Sequence, residues 1–114
     1  MADILELAFE SRSLRTICES ESNAKCELGS TVAEVLKHRL ADLRAATSVN
    51  DLVAGQPRER DGVNQQKEMV VELCDGYRIA FEANHRKNPM KETDILDWAK
   101  VSRIKILRIE TDHD

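Results

Sequence analysis

The sequence predicts an α+β domain, with an N-terminal strand and helices packed on one face of a twisted, mainly antiparallel sheet of about four strands. Three observations lead to this fold class. Apolar residues between Ala24 and Thr47 recur at spacings of three and four, the signature of one buried helical stripe. After Pro57 the period changes to two, as in half-buried strands. Asp75-Gly76 then interrupts the alternation with the strongest short hairpin signal, because a type I′ turn needs positive φ at both central residues. A chain of 114 residues has room for one hydrophobic core, so residues 1–114 read as a single domain.

The elements follow in order. Ile4-Leu5-Glu6-Leu7-Ala8-Phe9 is a short apolar run and reads as the opening strand. Ser11 is placed to cap a short helix whose apolar side is Leu14, Ile17 and Cys18, and Glu19 to Asn23 reads as a polar break. From Ala24 to Thr47 the stripe Leu28, Val32, Val35, Leu36, Leu40 and Leu43 predicts a long helix, with Gly29 marking a bend near its start. Ser48-Val49-Asn50-Asp51 resembles a capping box with Asp in place of Glu, opening a turn that Gly55 ends.

Met69, Val71 and Leu73 then alternate with Val70, Glu72 and Cys74. The return strand, Tyr77 to Ala83, puts Tyr77, Ile79, Phe81 and Ala83 on one face and Arg78, Ala80 and Glu82 on the other. Tyr77 and Phe81 read as core. Asn84 to Asp97 is polar and reads as a surface loop anchored by Trp98, and Val101 to Ile109 is the last strand. Helices on one face leave the other face of the sheet open.

Composition narrows the functional classes. Hydrophobic residues make up 41% and charged residues 33%, a balance that argues against long disorder. No apolar run approaches the roughly 20 residues of a membrane span, and the acidic start fits neither a signal nor a transit peptide. Cys18, Cys26 and Cys74 are odd in number and widely spaced, which predicts free thiols in a reducing cytoplasm, with no disulfide framework and no zinc site. The net charge of −4 excludes a protein that grips nucleic acid with its whole surface, so any RNA contact needs a local basic patch. No helix-turn-helix and no basic helix point to a DNA-binding regulator.

Two segments carry a family likeness. Leu73-Cys74-Asp75-Gly76-Tyr77-Arg78-Ile79-Ala80-Phe81 contains an aromatic-Arg-Ile-x-Phe strand. Ile106-Leu107-Arg108-Ile109-Glu110-Thr111-Asp112-His113 is an apolar strand running into an acidic tail with a histidine. Together with Leu14-Arg15-Thr16-Ile17-Cys18-Glu19 and Val101-Ser102-Arg103-Ile104-Lys105, they resemble toxins of the RelE/ParE superfamily, and within it the HigB-type killer proteins of plasmid maintenance. The resemblance implies a RelE-like fold and an endoribonuclease that cuts messenger RNA on the ribosome during translation. It also implies a cognate HigA-like antitoxin as partner, no cofactor, no metal and no membrane.

Metal-free RNA cleavage uses the RNA's own 2′-hydroxyl as nucleophile. The protein then has to remove that proton, stabilise charge on the phosphoryl oxygens and protonate the leaving 5′-oxygen. A guanidinium suits the phosphoryl oxygens and an imidazole suits either proton transfer. Arg78 is the first candidate for the phosphate, since it points to the open face if Tyr77 and Ile79 face the helices; the plain alternative is a strand arginine paired to Glu72 or Glu82. His113 matches the family's terminal histidine and is the candidate acid or base, a disordered end residue being the alternative; Glu110 and Asp112 either orient it or keep the tail soluble.

Lys105 is the third catalytic candidate. It shares parity with Arg103, but Val101, Leu107 and Ile109 share that parity too, so the facing of this strand stays open, and Arg108 has the opposite parity. Arg58, Arg60 and Arg103 are candidate RNA contacts; the alternative is an exposed loop arginine for Arg58, in the stretch after Pro57, and for the cations of the last strand charges that protect a sheet edge. Gln56 stands where HigB relatives often carry a histidine before a proline, so that proton-transfer group is missing. His85 is a possible substitute and His38 falls on the solvated side of the long helix. Two other functions remain open: a ParE-like gyrase inhibitor and a non-catalytic binding protein on the same fold.

Overall fold

The computed structural model describes residues 5–52, 54–62, 66–92 and 95–111. Ile4 of the expected opening strand and His113 of the expected site lie outside them. Strand β1 (Glu6–Phe9) leads to helix α1 (Arg12–Glu19), where the Ser11 hydroxyl accepts from the Leu14 amide at 3.1 Å, the expected cap.

The polar break is shorter than the sequence suggested. Ser20 alone separates α1 from helix α2 (Glu21–Leu28), and its side chain accepts from the Asn23 amide. Polarity alone therefore misled, because α2 presents only Ala24 as a buried residue and is otherwise a wet helix. Gly29 does more than bend a long helix. At φ +86° it ends α2, and helix α3 (Ser30–Ala45) starts afresh. Val32, Leu36, Leu40 and Leu43 of the expected stripe are buried, with Ala33, whereas Val35 and Leu28 are half-buried.

A 3-10 turn at Val49–Asp51 carries the expected capping box, with the Asp51 carboxylate accepting from the Ser48 amide at 3.2 Å. The stretch after Pro57 is not a loop. It is strand β2 (Arg58–Asp61), paired antiparallel with strand β3 (Lys67–Glu72). Its Arg-Glu-Arg-Asp sequence lacks an apolar face because it is an edge strand.

The Asp75-Gly76 hairpin is present as expected. Both residues have positive φ, 52° and 81°, and the Tyr77 amide donates to the Cys74 carbonyl at 2.9 Å. Strand β4 (Tyr77–Ala83) pairs with β3. Phe81 is fully buried, whereas Tyr77 is half-buried beside the turn and stands outside the core. The predicted loop before the last strand instead contains a small two-stranded sheet, β5 (Met90–Glu92) with β6 (Ile95–Leu96). Strand β7 (Arg103–Thr111) closes the chain described.

Among the described residues the main sheet has five strands where about four were expected, in the order β1-β7-β4-β3-β2, antiparallel except for the parallel β1–β7 pair. Leu14, Ala24, Leu36, Leu40 and Leu43 from the helices pack with Met69, Val71, Ile79, Phe81, Ile104 and Ile106 from the sheet. All three helices therefore cover one face. Among the described residues no helix is long and apolar enough to cross a membrane. The three cysteines are free thiols, and burial pushes Cys18 up to about 11, leaving it protonated at neutral pH.

Candidate functional site, a charged sheet face

The face away from the helices is built in cross-strand rows. Register fixes them: Glu72, Arg78 and Glu110 form one row across β3, β4 and β7. Arg58, Val70, Ala80 and Arg108 form the next, and Arg60, Glu68, Glu82 and Lys105 the third. Val70 and Ala80 are completely buried under the charged side chains around them. The aliphatic stems of arginine and glutamate thus serve as cover for a small apolar strip.

An irregularity in β7 decides what this face contains. Ala80 pairs with Arg108 and Phe81 with Ile106, so Leu107 is the extra residue of a β-bulge. Before the bulge, Ile104 and Ile106 face the helices and Lys105 faces out. After it the parity flips, so Arg108 and Glu110 also face out while Ile109 packs on the core. Lys105 and Arg108, of opposite parity in the sequence, therefore share the open face. The ambiguous facing of this strand is the bulge seen in one dimension.

The charges form one connected network. Arg78 donates through Nε to Glu72 at 3.1 Å and lies 3.8 Å from Glu110. Arg58 reaches the same Glu72 at 2.9 Å. Arg60 forks between Glu68, at 3.1 and 3.2 Å, and Glu110, at 2.9 Å for its Nη1. Arg108 bridges the same two carboxylates, at 2.6 Å to Glu68 and 2.7 Å to Glu110. Glu68 keeps only 3% of its side chain exposed, a buried carboxylate made tolerable by two guanidiniums.

Hydrogen bonds from Arg60 foremost, and from Arg108, hold the Glu110 carboxyl down at about 2. The Arg60 guanidinium is correspondingly held in its charged form by Glu110 and then Glu68.

Arg58, Arg60 and Arg78 are thus brought together, joined by Arg108. Lys105 is not in that cluster. It stands two rows from Arg78, four residues along β4 or about 13 Å at strand rise. Its Nζ is bound to Glu10 at 3.1 Å and lies 3.6 Å from Glu82, whose carboxylates raise its pKa. Arg103 is at the sheet margin, exposed and paired with Glu6 at 3.3 Å, and among the described residues no ion pair links it to the cluster.

The expected basic patch is therefore a neutralised one. Among the described residues, Arg58, Arg60, Arg78, Arg108 and Lys105 meet Glu10, Glu68, Glu72, Glu82 and Glu110 in equal number. Of the two alternative partners that the sequence offers Arg78, Glu72 is the one it binds; Glu68 and Arg108 are the members that sequence reasoning missed. The cross-strand register that joins them is a tertiary fact, and only their place in alternating strands hinted at it.

His85 is not a proton-transfer group of this face. Its Nε2 accepts from the backbone amides of Ser102 at 3.0 Å and Arg103 at 3.3 Å, tying the end of β4 to the start of β7. His38 is exposed on α3, paired with Glu34 at 3.4 Å. Trp98 anchors its turn as expected: its Nε1 donates to Glu59 at 2.6 Å and its ring meets Phe81 edge-on at 6.3 Å.

Among the described residues no group of three or more His, Cys, Asp or Glu side chains is arranged to hold a metal ion. Compared with protein-family models, with curated proteins and with solved structures, the chain finds no match in any of the three.

Proposed function

We propose that this chain is an endoribonuclease toxin on a RelE-like fold, HigB-type, which cuts messenger RNA during translation and is neutralised by a HigA-like antitoxin. The observation that carries the reading is that Arg58, Arg60 and Arg108 are joined to Arg78, on the middle strand of the open sheet face, through the shared carboxylates of Glu72 and Glu110. Preorganised guanidiniums aimed at one surface are what a metal-free attack by the 2′-hydroxyl requires, since the negative charge develops on the phosphoryl oxygens. Arg78 binds the scissile phosphate, Arg58 and Arg60 the flanking backbone, and Lys105 the neighbouring nucleotide. The order of strand, helices and antiparallel strands also agrees with the family resemblance. The open face ends beside Thr111, the cross-strand partner of Tyr77, and His113 follows two residues later to serve as acid or base.

A second reading, a non-catalytic binding protein on the same fold, is favoured by the charge balance. Every cation of the face already has a carboxylate, so an incoming phosphate must displace Glu72 or Glu110 from Arg78.

Expression induced without any partner gene, for wild type and Arg78→Ala, separates the two. Growth and messenger 5′ ends are followed together. Arrest with new ends inside translated frames, both lost in a folded Arg78→Ala, supports the nuclease. Undiminished growth with intact messages, despite abundant folded protein, leaves the binding protein. Arrest with DNA damage signals and intact messages points to gyrase inhibition instead.

A further inference from the structure

Beside the arginine cluster, at the Lys105 end of the same face, lies a cleft of about 230 Å³ lined by Glu10, Gln66, Glu68, Glu82, Lys105, Leu107 and Arg108. The β-bulge makes it. By crowding Lys105, Leu107 and Arg108 onto one side of β7, it leaves an apolar patch between two cations. Opposite them, Glu68 and Glu82 are direct cross-strand neighbours, a like-charge pairing that a sheet tolerates only when donors surround it. Glu68 is satisfied by Arg60 and Arg108. Glu82 is not matched so closely, with Lys105 at 3.6 Å. The Gln66 amide nitrogen is committed to the Ala83 carbonyl at 3.0 Å.

The cleft's two cations, Lys105 and Arg108, already face Glu10, Glu68 and Glu82, so its interior suits an uncharged group rich in donors better than a bare phosphate. Lys105 in its wall opposes an arginine or lysine side chain. A group that donates to Glu82, accepts from Lys105 and offers a flat face to Leu107 meets all three demands. The Watson–Crick edge of guanine has that order: O6 accepts, and N1–H and N2–H₂ donate side by side to one carboxylate. Adenine and cytosine each offer a single amino group beside a ring acceptor, which would leave one carboxylate oxygen facing a lone pair.

We propose that this cleft binds a guanine base of the substrate strand, with Glu82 accepting from N1–H and N2–H₂, Lys105 donating to O6 and Leu107 covering the ring. The proposal rests on the RNA-cleaving reading and supplies its base preference. The guanine phosphate would fall toward Arg108, which belongs both to the cleft and to the arginine network.

The test is calorimetric titration of the purified full chain with GMP, IMP, AMP and CMP, and with N-acetyl-arginine amide as a cationic probe. GMP is expected to bind at least about tenfold more tightly than AMP or CMP. IMP, which lacks the N2 amino group, is expected to fall between them. Glu82→Gln, checked for folding by circular dichroism, should erase the ranking while leaving weak binding of all four nucleotides. Should that variant fail to fold, the GMP-to-IMP step in wild type still decides. Equal affinities for the four nucleotides, no binding at millimolar concentration, or tighter binding of the arginine amide each overturn the guanine pocket. Growth and message integrity are read separately, so loss of the pocket and loss of the nuclease reading are distinguishable.

Discussion

Replacing Glu110 by glutamine tests whether the sheet face is held by charge. The Glu110 carboxyl is depressed from 4.5 to about 2, by Arg60 foremost and then Arg108. Each pH unit of such depression is worth about 1.4 kcal/mol of folding free energy, which sets an upper figure of about 3 kcal/mol. Glu110 keeps 19% of its side chain exposed and Arg60 34%, so water screens part of the attraction and about 2 kcal/mol is the expected share.

Because the folded value lies below the unfolded one, this stability is complete above pH 4.5 and drains away as pH falls toward 2. Urea unfolding of wild type and Glu110→Gln at pH 7, 4 and 2.5 measures it. At pH 7 the variant should be less stable by about 2 kcal/mol. Between pH 4.5 and 2 the two curves should converge, since only wild type has the contribution to lose. Parallel curves with a constant gap would refute the argument, for they would mean that glutamine costs packing and not charge.

Other expectations follow from single contacts. Gly55→Ala is expected to destabilise by about 3 kcal/mol or more, because Gly55 has φ +84° and a Cβ there would sit 2.9 Å from the Glu72 carbonyl oxygen and closer still to Val71; thermal melting reads this, and an unchanged midpoint would contradict it. His85→Ala removes the acceptor of two backbone amides and should cost about 1–3 kcal/mol, with faster amide exchange at Ser102 and Arg103 as its local signature. Ser20→Ala strips the cap of α2 and should cost about 1 kcal/mol, seen as reduced helical ellipticity.

Sequence reading succeeded where one residue type forces one geometry, and failed where the cause lies across the sheet. Asp75-Gly76 specified its hairpin because few other residues accept positive φ twice in succession. The Ser11 cap and the Ser48–Asp51 box were equally local. Strand β2 was missed because Arg-Glu-Arg-Asp gains its strand conformation from β3, not from any preference of its own. Gly29 was read as a bend because the apolar stripe continues beyond it, while φ +86° in fact divides the stripe between two helices. The short strands β5 and β6 carry too few apolar residues for a period to register.

The site illustrates the same division. Arg78 could be assigned to the open face from its neighbours alone, because β4 alternates without interruption. Lys105 and Arg108 could not, since a period of two cannot count through Leu107. The bulge that confounded the reading is also what puts Lys105, Leu107 and Arg108 side by side. A regular β7 would turn either Lys105 or Arg108 toward the core that holds Phe81, at the cost of burying a charge among apolar side chains. The sequence itself calls for the irregularity: Ile104, Ile106 and Ile109 face the core while Lys105, Arg108 and Glu110 face out, and one extra residue, Leu107, is the smallest change that sorts them.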